Sequence, residues 1–354
     1  MCDPRQVMNE PTESRKQRAA RRAGEFPPAP EPLPVAVPDS HTHLDITVAE
    51  AGVPLFGSGA PDEAAATVDT AATSAVTGAA VNAVAATGAL AAVDPLAAAD
   101  AVAAADSGLV TDPVDAIVRV AAAAGVDRLV QVGVDVESSR WGARLAARHP
   151  AVLATVALHP NEAPRLADLD AALREIEALA ALDEVRGIGE TGMDFFRTGE
   201  DGRAVQEESF RAHIAIAKRY GKTLVIHDRD AHADVLRILD DEGAPDTVVL
   251  HCFSGDAGFA AECVRRGYLL SFAGTVTFAS AHALRAAAAV TPPEQLLVET
   301  DAPYLTPTPY RGRPNASYLI PLTVRSLAAT TGVDLATLCG HLSANGERAF
   351  GPWL

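Results

Sequence analysis

The chain has 354 residues, 48% of them apolar, so it is long enough for one large domain or two small ones. It has no apolar run long enough to span a membrane and lacks the apolar segment of a secretory signal, which predicts a cytoplasmic protein. The net charge of −17 disfavours a broad phosphate-binding groove, but it is compatible with a small pocket in which metal ions supply positive charge.

The cysteines are scattered along the chain and do not form a regular pattern. They are Cys2, Cys252, Cys263 and Cys339. A disulfide framework needs denser and more regular spacing, so this distribution also favours a reducing compartment.

Two segments of unusual composition predict the domain boundaries. Residues 1–38 combine a basic stretch with a Pro-rich one, which predicts a disordered tail. Residues 49–112 are rich in Ala, contain no Lys or Arg and are interrupted by glycines, which predicts an insertion outside the main core. The main domain is then expected at 39–354, and without the insertion it has about 250 residues, the length of a typical (β/α)8 barrel.

Outside the insertion, strand-like apolar runs alternate with helix-like stretches. Strands are predicted to end near residues 41–43, 130–133, 156–159, 187–190, 225–227, 249–251, 269–272 and 298–301. Helices are predicted at 114–124, 138–149, 169–182, 204–220, 231–242, 257–266, 281–290, 321–331 and 335–350. This alternation indicates a parallel α/β sheet, and eight units favour a closed (β/α)8 TIM barrel, although an open doubly wound sheet has the same local pattern.

Histidines and carboxylates occupy the predicted carboxyl ends of several strands. They are His41, His43, His159, Glu190, His227, His251 and Asp301. In a (β/α)8 barrel these strand ends meet at one mouth, where active sites lie. Residues far apart in the sequence are therefore expected to share one pocket.

The first strand carries His41 and His43, two positions apart. Alternate residues of a strand point to the same face, so both imidazoles can bind one metal ion. The alternative is a pair of structural histidines. The flanking Asp39 and Asp45, and the metal-ligating residue types on later strands, favour the metal site.

Two carboxylates complete the predicted centre. Glu190 follows glycines that allow close backbone approach and can bridge two metals, the alternative being a helix cap or an ion-pair partner. Asp301 can hold a metal and accept a proton from water, or it can be a structural carboxylate at a strand end. Asp194 is expected either to orient a ligand or to cap a loop, and the deeper Glu299 could pair with an Arg.

His227 and His251 each end a run of strand-forming residues, on successive strands. A buried structural histidine is the usual alternative for either one, and their joint occurrence favours ligands. Cys252 is expected to face away from the pocket as a packed thiol. Nitrogen and oxygen donors without clustered thiolates suit Zn²⁺, Mn²⁺ or Mg²⁺, and since no Lys ends a predicted strand, Glu190 is the only obvious bridge.

The predicted mouth also carries groups that could bind a substrate phosphate. They are His159, Arg229 after the fifth strand, and Arg311 or Arg313 after the eighth. An Arg can bind phosphate through a bidentate fork, whereas the alternative for these arginines is a solvated loop with acidic partners. The sequence has no Walker loop, Rossmann glycine motif or nucleophile elbow.

Five short motifs together resemble those of the TatD family of metal-dependent deoxyribonucleases. They are HTHLD at 41–45, GETGMD at 189–194, HDR at 227–229, HCFSG at 251–255 and ETDAP at 299–303. Their order and spacing match the family from Asp39 to the helix around Asn345, and Trp141 and the RGRPN segment at 311–315 are similar to actinobacterial members. Two features depart from the family: the insertion after the first strand, and Ser317, where many relatives have Pro.

The resemblance implies an amidohydrolase-like (β/α)8 barrel that binds two divalent cations (Mg²⁺, Mn²⁺ or Zn²⁺) and hydrolyses phosphodiester bonds. It implies a 3′→5′ exonuclease that binds DNA transiently, at single strands or 3′ ends. One metal is then expected to be held by four residues: His41, His43, Glu190 and Asp301. A second metal, bridged by Glu190, is expected to be held by two histidines: His227 and His251.

Two other functions are compatible with the same residues. The same metals could hydrolyse a carbon-centred ester or amide, as in a lactonase, amidase or aminoacyl-ester deacylase. In that case the loss of His159 and Arg311 should spare small uncharged substrates. A non-catalytic protein that recruits partners through its tail and insertion is the third hypothesis, and the intact ligand set speaks against it. The sequence does not indicate an oligomeric state.

Overall fold

The computed structural model describes residues 26–50 and 112–353, and its frame is one sheet of eight parallel strands. Each strand pairs with its neighbours in the chain, in the order β1 to β8. The strands are β1 Val37–Thr42, β2 Val126–Val132, β3 Val152–Val156, β4 Val185–Asp194, β5 Thr223–Arg229, β6 Val248–Leu250, β7 Leu269–Phe272 and β8 Leu296–Val298. The predicted strands are confirmed, within a few residues at their ends.

Helices surround the sheet. Those of the described part are α1 Leu44–Glu50, α2 Pro113–Ala123, α3 Val136–Ala146, α4 Leu169–Ala180, α5 Glu200–Tyr220, α6 His232–Glu242, α7 Ala257–Arg265, α8 His282–Val290, α9 Ile320–Thr331 and α10 Leu335–Phe350. All but α1 were predicted, because a stretch as short as α1 shows too little apolar periodicity. None of these helices is long and apolar enough to cross a membrane.

The sheet closes into a barrel where the first strand meets the last. Thr42 and Ala302 form a parallel bridge just beyond β8. The amide of Asp301 donates to the carbonyl of His41 at 3.0 Å, and the amide of His43 donates to the carbonyl of Ala302 at 2.9 Å. The predicted (β/α)8 TIM barrel is confirmed, and its closure brings the motif of β1 beside the motif that follows β8.

Alternate strand residues fill the inside of the barrel. The interior cluster comprises Val130, Val132, Leu153, Val225, Val249, Leu269, Leu297, Ala349 and Phe350. The opposite faces of the strands pack against the helices, so each strand is buried on both sides, as a helix-covered parallel sheet requires. Because apolar side chains fill the interior, polar groups gather at the carboxyl ends of the strands.

The disordered tail was predicted to extend to residue 38, but its C-terminal part, from Phe26 onwards, is ordered and packs on the barrel. Phe26 is only 9% exposed, and its carbonyl accepts a hydrogen bond from Arg313 at 2.6 Å. Tyr318 donates to the carbonyl of Pro27, and the amide of Leu33 donates to the carbonyl of Ala124 at 3.1 Å. The Pro-rich stretch therefore packs on the barrel because side chains outside it satisfy its carbonyls. Residues 1–25 and 51–111 lie outside the described residues, so the rest of the tail and nearly all of the insertion stay predictions.

One buried histidine makes the fold sensitive to acid. His213 of α5 is fully buried, donates from Nδ1 to the carbonyl of Ser209 at 2.6 Å, and accepts at Nε2 from the amide of Leu158 at 3.0 Å. Burial lowers the pKa of His213 to about 4. Since Nε2 is an acceptor, protonation removes a hydrogen bond and buries a charge.

We expect the protonation of His213 to lower the free energy of unfolding by about 2 kcal/mol between pH 7 and pH 5. Its pKa is lower in the folded than in the unfolded chain, so its contribution is fully present above pH 6.5 and is lost as the pH falls towards 4. Urea unfolding at both pH values should therefore show a smaller loss of stability for His213→Gln than for the wild type. The exposed His282 gives the control, His282→Gln. An unchanged pH dependence in His213→Gln would contradict the assignment.

Candidate metal centre

The carboxyl ends of five strands bring the six predicted ligands into one cluster. His41 and His43 lie at the end of β1, Glu190 lies on β4 and His227 on β5. His251 follows β6, and Asp301 follows β8. These residues are connected by contacts of 4.0 Å or less between ring nitrogens and carboxylate oxygens.

The two carboxylate oxygens of Glu190 face two different sets of histidines. Oε2 lies 3.5 Å from Nε2 of His41 and 4.0 Å from Nε2 of His43. Oε1 lies 2.6 Å from Nδ1 of His227 and 2.8 Å from Nε2 of His251. A carboxylate with one oxygen in each set has the geometry of a bridge between two ions.

Asp301 completes the first set. Its Oδ1 lies 3.7 Å from Nε2 of His41 and 3.5 Å from Nε2 of His43. Asp301 has a left-handed backbone, with φ of 54°, which is uncommon outside glycine and recurs at functional sites. His41, His43, Asp301 and one oxygen of Glu190 thus surround one point with two nitrogens and two carboxylate oxygens.

The burial, the missing hydrogen bonds and the neutral ring of His41 are those expected of a metal ligand. Its side chain is fully buried, and neither ring nitrogen has a hydrogen-bond partner among the described residues. Burial lowers the pKa of His41, and the nearby His251 lowers it further, so the ring is neutral. A buried ring with an unused lone pair costs free energy that coordination of a metal would recover. His41, His43 and Glu190 also lie close enough together to hold one ion.

Hydrogen bonds on the far side of two rings orient the lone pairs of their Nε2 atoms. Nδ1 of His43 lies 3.3 Å from the carbonyl oxygen of Val132, and Nδ1 of His251 lies 3.2 Å from Oε1 of Glu299. A carbonyl or a carboxylate can only accept, so a cation held on the Nε2 side would leave the proton of each neutral ring on Nδ1. The lone pair of Nε2 then points towards Glu190, as in metal-ligating histidines.

His227 uses the other nitrogen. Its Nε2 lies 3.2 Å from Oδ2 of Asp194 and its Nδ1 lies 2.6 Å from Oε1 of Glu190, so a cation held on the Nδ1 side would leave the proton of the neutral ring on Nε2, facing Asp194. Oδ1 of Asp194 also accepts from the amides of Phe196 and Arg197 at 3.0 and 2.8 Å. Asp194 therefore does both things that the sequence left open, because one oxygen orients His227 and the other caps a loop.

His159 also faces the carboxylate of Glu190, but the ring nitrogen on that side carries the proton. Its Nε2 lies 3.2 Å from Oε1 of Glu190, while its Nδ1 accepts a hydrogen bond from the amide of Asn161 at 3.0 Å. The neutral ring must then carry its proton on Nε2, which makes His159 a hydrogen-bond donor and not a ligand. The spacing of His159, Glu190 and His227 alone would allow an ion, so the tautomer decides between the two roles.

The carboxylates of the centre are ionised. Burial opposes ionisation of Glu190, but its electrostatic interactions and hydrogen bonds with the rings of His251, His159 and His227 outweigh burial and hold the pKa of Glu190 well below its usual range. At Asp301 burial likewise opposes ionisation, but the hydrogen bond with His43 outweighs it and lowers the pKa of Asp301. Two buried anions close together need positive charge, which divalent cations supply.

Glu299 has a different partner from the one predicted, and the prediction that Cys252 is a packed thiol facing away from the pocket stays a prediction. Glu299 accepts from the ring of His251 and from the amide of Cys252 at 2.7 Å, so its partner is a histidine and not an Arg. β6 ends at Leu250, and Cys252 has φ of 41°, so the alternation of strand residues does not apply to this thiol. Burial raises its pKa, and the charge of Asp301 raises it further, so the thiol stays protonated.

The cations at the mouth contact aromatic rings. The guanidinium of Arg229 lies 3.9 Å from the ring centre of the exposed Phe196, and that of Arg311 lies 4.4 Å from the ring centre of Phe278. Within the described ranges neither arginine pairs with a carboxylate, so the acidic partners considered from the sequence are not found there. Arg313 instead binds a backbone carbonyl of the N-terminal segment.

Several residues that support the centre were not found from the sequence. Asp39 is fully buried and accepts from the amide and hydroxyl of Thr300 at 2.9 and 2.6 Å, which links β1 to the segment after β8. Asn161 donates to Oδ2 of Asp194 at 2.9 Å. Asn315 donates to the carbonyl of Thr300 at 2.9 Å. Asn315 ends the RGRPN segment, and Asp39 was noted only as a residue that flanks His41; these were the available signals.

Glu190 is aimed into the centre by an irregularity in β4. The register between β4 and β5 shifts between Ile188 and Thr191. A Cβ on Gly189 would lie 2.4 Å from Cβ of Val225 and 2.5 Å from its carbonyl oxygen. Only glycine therefore allows β5 to approach β4 closely at the residue before Glu190.

We expect Gly189→Ala to lower hydrolytic activity by about 10²-fold, because displacing a catalytic group by about 1 Å has effects of that size. The clash with Val225 moves Glu190 relative to the histidines of β5 and β6. The control is Gly199→Ala, since a Cβ on Gly199 meets nothing within 4 Å. Steady-state rates of both variants give the answer, and wild-type rates in Gly189→Ala would show that this approach does not position Glu190.

Comparison with known proteins identifies the family. The family described as TatD related DNase matches residues 99–351. An uncharacterized metal-dependent hydrolase TatD of Mycobacterium tuberculosis is 50% identical over 68% of this chain and 92% of that protein. A 3′-5′ ssDNA/RNA exonuclease TatD of Citrobacter rodentium is 37% identical over 67% of this chain and 91% of that protein. A crystal structure of a TatD homologue from Escherichia coli superposes with a TM-score of 0.64 and 26% identity, covering 67% of this chain and 92% of that one.

The match to the family begins at residue 99, within the segment 49–112 that was predicted to be an insertion. His41 and His43 therefore lie outside the matched residues. Their place beside Glu190 and Asp301 follows from the pairing of β1 with β2 and from its bridge to Ala302.

Proposed function

Because this chain belongs to the TatD family of metal-dependent hydrolases, we propose that it hydrolyses phosphodiester bonds with two divalent cations, as a 3′→5′ exonuclease on single-stranded nucleic acid. The proposal rests on the orientation of the Glu190 carboxylate. One of its oxygens faces His41 and His43, and the other faces His227 and His251. Relatives named as 3′-5′ ssDNA/RNA exonucleases support the choice of substrate.

All six residues of the centre would bind metal, and Asp301 would in addition accept a proton. His41, His43 and Asp301 would hold one ion, and His227 and His251 the other, with Glu190 between them. When bound, divalent cations polarise a phosphodiester and make water a stronger nucleophile at neutral pH. Asp301 is ionised and 16% exposed at its side chain, so it can accept the proton of the attacking water.

Three groups around the centre would bind the substrate. The proton on Nε2 of His159 can be donated to a non-bridging phosphate oxygen, which is where negative charge concentrates. Arg229 and Arg311 offer guanidinium groups without carboxylate partners among the described residues, and such groups bind phosphate in a bidentate manner. A chain with a net charge of −17 thus concentrates cations where a phosphate is expected.

The proposal is tested by digestion of a 3′-labelled and a 5′-labelled single-stranded oligonucleotide with metal-stripped protein, before and after addition of Mg²⁺, Mn²⁺ or Zn²⁺. We expect stepwise loss of nucleotides from the 3′ end that depends on the added metal. Binding of metal without cleavage of either strand would contradict the nuclease. It would favour a carbon-centred ester or amide, for which the same metal centre is suited.

We expect His159→Gln to raise KM for the oligonucleotide by about tenfold, the cost of one charge-assisted hydrogen bond, while both metals stay bound. Metal content by elemental mass spectrometry separates the two roles of this histidine. A loss of metal from the variant would make His159 a ligand and contradict its tautomer. His341→Gln, on α10, serves as the control.

A further inference from the structure

The opposite face of the barrel contains a cavity that none of the six candidate metal ligands lines. It has a volume of about 470 Å³, which is within the usual range for small-molecule sites. It lies at the amino ends of the strands, because Arg186 is the second residue of β4, Thr223 begins β5 and Thr247 precedes β6. Phe350 and Gly351, at the end of α10, line another side of the cavity.

The lining of this cavity is basic although the protein is acidic. Its charged lining residues are Arg186, Lys218, Lys222, Arg348 and Asp246. Four cations thus stand against one carboxylate, in a chain with a net charge of −17. Such a local reversal of charge concentrates anions from solution.

The cations of the cavity are not neutralised by carboxylates. Lys222 donates to the carbonyls of Leu182 and Val185 at 3.0 and 2.6 Å, and Lys218 donates to the carbonyl of Glu242 at 2.7 Å. Arg348 donates to another backbone carbonyl. None of the four forms an ion pair within the described part of the chain. Arginines elsewhere do, for example Arg140 with Glu175, at 2.5 Å.

Arg186 has a buried nitrogen, Nε, without a hydrogen-bond partner in the described part of the chain, residues 26–50 and 112–353. Burial lowers the pKa of Lys222, and the positive charge of Arg186 lowers it further. Asp183 and Glu184 offset part of this repulsion, but neither forms an ion pair with Arg186 or Lys222 among the described residues, and an anion between the two cations would relieve the repulsion that remains.

We propose that this cavity binds a small phosphorylated anion, with its phosphate between the Arg186 guanidinium and the Lys222 ammonium group. The planar fork of an Arg and the point charge of a Lys are the usual pair for phosphate oxygens. The remaining cations, Lys218 and Arg348, suit a ligand with more than one negative group. The site is independent of the metal centre, because no residue of it belongs to the mouth of the barrel.

Pyrophosphate is the probe, and metal-stripped, chelator-free full-length protein avoids binding at the metal centre. Calorimetry should show one saturable site in the wild type. Arg186→Gln should weaken the binding by about tenfold or more, since it removes a charge-assisted contact. Arg140→Gln, which removes an ion-paired surface cation, should leave the affinity unchanged. Arg311→Gln, which removes a cation at the opposite mouth, should also leave it unchanged.

Amine labelling gives a second readout that does not depend on a variant. The chain has only three lysines, Lys16, Lys218 and Lys222, and two of them line the cavity. We expect pyrophosphate to protect Lys218 and Lys222, but not Lys16, from acetylation measured by mass spectrometry. Absence of saturable binding, equal protection of Lys16, or loss of affinity in Arg311→Gln in place of Arg186→Gln would each overturn the proposal.

Discussion

Replacing Glu190 by Gln is expected to lower phosphodiester hydrolysis by about 10³-fold or more, which corresponds to roughly 4 kcal/mol of lost transition-state stabilisation. Each oxygen of Glu190 faces a different histidine set, and an amide keeps only one of those oxygens. We therefore also expect the metal content of the saturated protein to fall from two ions to one or none. Gln has nearly the same volume as Glu, so packing around β4 is preserved.

Two measurements check this expectation: single-turnover cleavage of the oligonucleotide, and elemental mass spectrometry of the dialysed protein. Glu162→Gln is the matched control, because Glu162 lies on the loop after β3 and pairs with Arg165 away from the centre. A Glu190→Gln variant that keeps two metals and most of its rate would show that Glu190 does not bridge them.

Replacing Asp301 by Asn is expected to lower kcat by about 10²- to 10⁴-fold, the usual contribution of a positioned proton acceptor. The carboxylate of Asp301 lies within 3.7 Å of both histidines of β1 and is ionised, whereas an amide cannot take up the proton. The left-handed backbone at this position, with φ of 54°, suits Asn as well as Asp. The variant is therefore expected to fold normally.

The control for this variant is Asp230→Asn, since Asp230 also has a left-handed backbone, with φ of 59°, and lies on the exposed loop after β5. Rates are compared at saturating metal, so that weaker metal binding is separated from loss of the proton acceptor. A kcat for Asp301→Asn within a few-fold of the wild type would remove Asp301 from the role of proton acceptor.

The sequence was sufficient to locate the strand ends and the residues that meet there. Apolar runs that lead into His41, Glu190, His227 or Asp301 predict the carboxyl ends of the strands to within a few residues, and a parallel barrel then brings those ends together. The barrel closure that puts Asp301 beside His41 followed from counting eight units and is confirmed by the bridge between Thr42 and Ala302.

Other features could not be predicted because they depend on partners distant in the chain. The proton of His159 is placed by the amide of Asn161, and Glu190 is aimed by a register shift against β5. No periodicity of β4 shows that shift. The packing of Phe26 on the barrel was missed because its partners, such as Arg313, lie at the other end of the sequence.

The central claim, that Glu190 joins two metal ions, is tested most directly by anomalous diffraction from crystals of this protein grown with Mn²⁺. The account predicts two peaks in the barrel mouth, one beside Oε2 of Glu190 with His41 and His43, and one beside Oε1 with His227 and His251. A single peak, or two peaks of which neither contacts Glu190, would contradict it.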